Sequence, residues 1–200
     1  MSAMAATARI LRYTAFTLMA LFGLLGGLFA AGYAFEDLST WVAVGSTLAV
    51  AVPTIVLSVL AFRLPDATAP WFVALTGLVA VGTLLDAGFQ LVDRDAVGPV
   101  VAIGVFALAV SLAVLGLHRS ALAGVLLLLL GAAQLGGVVL GFSGELAEGG
   151  GPSLGAVLTT SSGVVVVPLL VVGLLFVVAG ALTHDSLRVR HLPPTAHPAH

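Results

Sequence analysis

Two hundred residues carry 60% hydrophobic and only 8% charged side chains, with a mean hydropathy of +1.20; soluble domains carry roughly 25% charged residues, so a water-soluble fold is excluded. A formal charge of −2 offers no basic face to nucleic acid. The absence of cysteine removes disulfides, thiol nucleophiles and thiolate metal ligands.

Lysine and asparagine are also absent, while Ala, Gly, Val and Leu dominate, a bias typical of a GC-rich genome. Apolar runs long enough to cross about 30 Å of hydrocarbon occur at 12–34, 41–62, 70–92, 98–117, 121–142 and 164–183. The expected fold is therefore all-α: one polytopic membrane bundle of about six transmembrane helices over 1–183, with a disordered tail over 184–200. The connectors hold charges and turn formers, as in Glu36-Asp37-Leu38-Ser39, Arg63-Leu64-Pro65-Asp66, Asp93-Arg94-Asp95 and His118-Arg119-Ser120, and suit helical hairpins.

The first run follows Arg9 and Arg12, the flank of a signal peptide as well as of a membrane anchor. Signal h-regions are only about 7–15 residues long, so an uncleaved anchor is expected. Gly23, Gly27 and Ala31 repeat at four-residue spacing, which lets helix backbones approach. In a six-helix chain, the expected partner of that stripe is another helix of the same chain. Trp41 and Trp71 open the second and third runs and read as interface anchors. Pro53 in the second and Pro168 in the last read as ordinary kinks. Small-residue stripes recur at Ala109 and Ala113 in the fourth run, and at Ala133, Gly137 and Gly141 in the fifth.

The last segment is apolar from Leu154 to Leu182 but is interrupted by Thr159-Thr160-Ser161-Ser162-Gly163 and by Pro168, too long for one straight crossing. The preferred division makes 154–163 a separate outer element and lets Val164–Thr183 span. After His184, the prolines at 193, 194 and 198 and the lack of apolar runs predict disorder.

Arg9, Arg12, Arg63, Arg119, Arg188 and Arg190 fall on one side of the alternating spans and Arg94 alone on the other, so both termini are expected in the cytoplasm. Glu36, Asp37, Asp93, Asp95, Glu145 and Glu148 fall on the opposite side. The arginines are too dispersed to form an anionic-lipid cluster, and orientation alone accounts for them.

One ionisable residue, Asp86, lies inside a predicted span, a position that costs roughly 2.5 kcal/mol or more at the bilayer centre. Six residues separate it from Val92, about 9 Å of helix, which places it in the outer third. Gln90 lies one turn further along the same face, and Gln134 and Thr160 fall in the outer half as well. Asp86, Gln90, Gln134 and Thr160 thus form a candidate outward-facing polar pocket; the plainer reading is that Asp86 cross-links helices with Gln134 as partner.

Catalytic patterns are missing. No histidine lies in a span, Asp86 has no second membrane acid, and there is no His-Glu-x-x-His helix, phosphate loop or buried histidine pair. His197 and His200 sit in a tail with no preorganised geometry for a metal. No catalytic, metal or cofactor site is therefore expected.

Gly32-Tyr33-Ala34-Phe35-Glu36-Asp37, then Pro53 and Phe62-Arg63-Leu64-Pro65, resemble small multi-pass membrane proteins of GC-rich microbes. The resemblance covers about a third of the chain and implies a multi-pass protein of the cell membrane; it transfers no functional residue. The expected function is that of a non-enzymatic accessory or partner-binding bundle, whose partners are the lipid bilayer and another membrane protein or a second copy of itself. The alternative is a small transporter or channel using Asp86.

Overall fold

The computed structural model describes residues 3–37, 40–89, 94–141 and 161–190, with side chains placed over 4–26, 41, 44, 45, 48, 51–89, 103–140 and 165–183. These residues form six helices: α1 Ala3–Asp37, α2 Thr40–Arg63, α3 Pro65–Phe89, α4 Arg94–Gly116, α5 Ser120–Gly141 and α6 Ser161–Arg190. Four of them hold stretches long and apolar enough to cross a membrane, namely Met4–Gly26, Pro65–Phe89, Ser120–Leu140 and Val165–Thr183. The apolar stretches Ala51–Arg63 and Ile103–Gly116 are shorter among the described residues.

The helices outrun the apolar stretches that announce them. α1 begins at Ala3 and α6 continues to Arg190, because hydropathy marks residues that suit hydrocarbon, whereas Ala, Leu and Arg sustain a helix on either side of that boundary. Residues 184–190, expected in the disordered tail, thus continue α6. Ser161–Gly163, expected in a separate outer element, open the same helix, and residues 154–160 and 191–200 lie outside the described residues.

α3 starts at Pro65 rather than near residue 70. A proline at the first helical position costs no hydrogen bond, and it disfavours helical geometry at Leu64 before it. Leu64 is the single non-helical residue of the joint: its N–H donates to Leu60 O at 2.8 Å and its carbonyl accepts from Thr68 N at 3.1 Å. Pro53, Pro70 and Pro168 sit inside helices that continue past them. The α4–α5 connection is as tight, with His118 N donating to Leu115 O at 3.0 Å and Arg119 N to the same carbonyl at 2.8 Å.

α5 packs most extensively on α6; α1 lies on α6 and α4, α3 on α5, and α2 on α4. The shared interior holds Met19, Phe72, Leu112, Leu127, Leu130, Leu169 and Phe176, all essentially inaccessible. Large apolar side chains also cover the exterior, including Leu24, Ile55, Leu78 and Phe89, an outer surface suited to hydrocarbon rather than to water. Where solvent is as apolar as the core, close backbone approach must hold the helices together. The α5–α6 seam shows it. A Cβ on Gly124 would stand 2.7 Å from Gly173 O, and one on Gly180 would stand 2.8 Å from Ala121 N.

The expected stripes find partners within the chain. Gly23 faces Val110 of α4, and Gly137 faces Thr83 of α3, while Ala109 and Ala113 are fully buried. The side chains of Ala31 and Gly141 and the surroundings of Gly27 lie outside the described residues.

Candidate functional site

In a bundle this apolar, the sites are the places where polar atoms meet. At the far end of α3 and α5, the Gln134 amide donates to Thr83 Oγ1 at 3.2 Å, and Thr83 donates in turn to Val79 O at 2.9 Å. Gly137, one turn after Gln134, permits this approach, since its Cβ would meet Thr83 Cγ2 at 3.0 Å. Gln134 therefore reaches α3 one turn before Asp86. Asp86 is half-buried and stands three residues before Phe89, the last described residue of α3; Val92, from which its depth is reckoned, lies outside the described residues. Gln90 and Thr160, the other members of the expected pocket, lie outside the described residues.

A second polar contact was not singled out by sequence reasoning. Buried Ser111 of α4 lies 3.0 Å from Ala107 O, 3.3 Å from Thr54 O of α2 and 3.2 Å from the Ser58 hydroxyl. Its one proton serves one carbonyl at a time while its oxygen accepts from Ser58. Mid-span serines were the available signal. Thr76 on α3 behaves differently: Thr68, Thr83, Ser111 and Thr183 donate to the carbonyl four residues back, whereas fully buried Thr76 Oγ1 has no partner among the described residues.

The third constellation gathers at the opposite end. Arg12 of α1 donates from Nη1 to Leu117 O, just past α4, at 3.0 Å and from Nη2 to Thr183 Oγ1 of α6 at 3.4 Å. Leu117 O belongs to the set of carbonyls that a helix C-terminus leaves without intrahelical donors, so the guanidinium works there as a cap. Arg119, in the α4–α5 turn, contacts Asp66 Oδ1 of α3 through Nη2 at 2.6 Å and Nε at 2.8 Å. With side chains 45% and 82% exposed, that pair contributes at most about 1 kcal/mol; Asp66 also suits the first turn of α3. His118 meets Phe62 edge-on, with ring centroids 5.3 Å apart. The start of α1, the α2–α3 joint, the α4–α5 turn and Thr183 of α6 thus share one end of the bundle.

Beside that end, α2 and α3 diverge. They touch each other little, since each rests on a different neighbour, and an open apolar groove of about 610 Å³ lies between Leu57 and Leu60 on one side and Trp71, Phe72, Leu75 and Leu78 on the other.

Among the described residues, no group of three His, Asp or Glu side chains is placed to hold a metal ion. What the arrangement does chemically is fasten helix to helix at three levels. A comparison with protein families, curated proteins and solved structures finds none that matches the chain.

Proposed function

We infer that all six helices cross the cell membrane, that both termini lie in the cytoplasm, and that the protein acts as a non-enzymatic accessory or partner-binding bundle. The observation that carries this reading is how the polar side chains are used. Arg12, Ser111, Gln134 and the Asp66–Arg119 pair each tie one helix to another, and apolar side chains fill the described interior.

The orientation draws support from the end where Arg12, Arg63 and Arg119 collect, because arginines of short loops mark the cytoplasmic side. α4 finishes at that end, and Arg94 at its start is 22 residues before Gly116, about 33 Å away along the helix.

The chain has no cysteine, so single-cysteine variants report topology without background. Asp93→Cys should react with an impermeant maleimide on intact cells, and Ala67→Cys only after permeabilisation. The reverse pattern would invert the orientation, and equal labelling would show that α3 does not cross.

The competing reading loads a proton or cation at Asp86, a half-buried acid inside a membrane-length apolar helix. Liposomes containing the parent protein or Asp86→Asn should dissipate a pH gradient at the same rate as empty liposomes. A parental proton flux that Asp86→Asn abolishes would replace the accessory role with transport.

A further inference from the structure

We propose that the fork between α2 and α3 binds an anionic phospholipid, with an acyl chain in the groove and the phosphate on Arg63; this rests on the reading of both helices as membrane-spanning. The groove walls are apolar apart from Thr68, whose hydroxyl is already committed to Leu64 O at 2.9 Å. Nothing inside the groove solicits a polar ligand, so its occupant there is hydrocarbon.

The groove is long and apolar. Along α3 the groove runs from Thr68 to Leu78, ten residues or about 15 Å. A slender acyl chain can lie along that length, against Leu57 and Leu60 on one side and Leu75 and Leu78 on the other.

Charge identifies the headgroup. Asp66 is neutralised by Arg119 at 2.6 Å. Arg63, the last residue of α2, is exposed and makes no hydrogen bond or ion pair among the described residues. It stands three residues beyond Leu60, about 4.5 Å further along the helix axis, at the joint where the groove meets the bundle end. A guanidinium presents paired N–H donors that match phosphate oxygens. The dispersed arginines form no lipid-binding cluster in the sequence, but the fold puts one unpaired cation at the mouth of an acyl-sized groove.

Trp71 lines the groove and Trp41 does not, so a Trp41→Phe variant of the full chain has a single fluorophore at the site. It would be reconstituted into mixed phosphatidylglycerol and phosphatidylcholine vesicles in which one lipid or the other carries brominated acyl chains that quench indole fluorescence. Brominated phosphatidylglycerol should be enriched near Trp71 about fivefold over brominated phosphatidylcholine at equal mole fraction, the scale set by one arginine at an anionic surface. Arg63→Gln should bring the ratio to about one, Arg63→Lys should retain most of it, and a phenylalanine in place of Ala74, which lines the groove beside Leu75, should fill it, so that Ala74→Phe removes the enrichment with Arg63 intact. Equal quenching by the two lipids in the Trp41→Phe parent overturns the proposal, as does enrichment that survives Arg63→Gln or Ala74→Phe. Both leaflets carry both lipids, so the result is independent of the orientation that cysteine labelling tests.

Discussion

Gly124→Ala is expected to destabilise the bundle by about 2 kcal/mol, whereas Gly77→Ala is expected to stabilise it by up to about 1 kcal/mol. Both substitutions add one methyl to a helix and bring the same intrinsic gain, about 1 kcal/mol for replacing glycine with alanine. They differ in what the methyl meets. At Gly77, among the described residues, no atom outside its own turn of helix lies within 4 Å of the added carbon. At Gly124 the carbon would stand 2.7 Å from both Gly173 O and Val177 N. These are backbone atoms, which cannot rotate aside as a side chain does, so α6 must move away from α5. Overpacking of this kind costs up to about 3 kcal/mol. Separating the helices would also loosen Gly180 against Ala121, two turns along the same seam. Unfolding in detergent micelles, followed by circular dichroism, gives both signs. Stabilisation by Gly124→Ala would mean that the α5–α6 backbones are not in contact.

That seam also shows where sequence reading stops. Gly23, Ala109, Ala113 and Gly137 could be picked out by their spacing, and the structure places each against another helix or in the core. Gly124, Gly173 and Gly180, where the backbones of α5 and α6 meet, were not, because 24 glycines make small residues three, four or seven apart too frequent to single out an interface. Spacing marks a face; only the fold selects its partner. Gln134 was legible as a membrane amide seeking a partner, but its distance from Thr83 rather than from Asp86 depends on the axial offset of α5 against α3, which no local pattern encodes. The helical character of the chain was legible throughout, because every helix contains a long apolar run, yet the ends of α1 and α6 were not, since their polar extensions obey helix propensity instead of hydropathy.

Arg12→Leu is expected to cost about 2–3 kcal/mol, whereas Arg9→Leu should stay within about 0.5 kcal/mol of the parent. By charge counting the two arginines are equivalent, as both precede the first apolar run and both lie on the same side of it. Arg9 is exposed, but Arg12 is partly buried, with its guanidinium on Leu117 O and Thr183 Oγ1. Leucine would fill much of the same volume but would leave the Leu117 carbonyl without this donor, and a charged hydrogen bond of this kind is worth about 1.5–3 kcal/mol. The favourable field between a cation and the C-terminus of α4 would go too. One term runs the other way: Arg12 Nε is buried with no partner among the described residues, so the replacement also relieves a desolvated donor, which keeps the expected loss below the sum of the bonds. Thermal unfolding of the two variants side by side in the same detergent makes the comparison. If they lose stability equally, the hydrogen bonds of Arg12 add nothing to the fold; if Arg12→Leu alone is weakened, its guanidinium joins α1, α4 and α6 into one bundle.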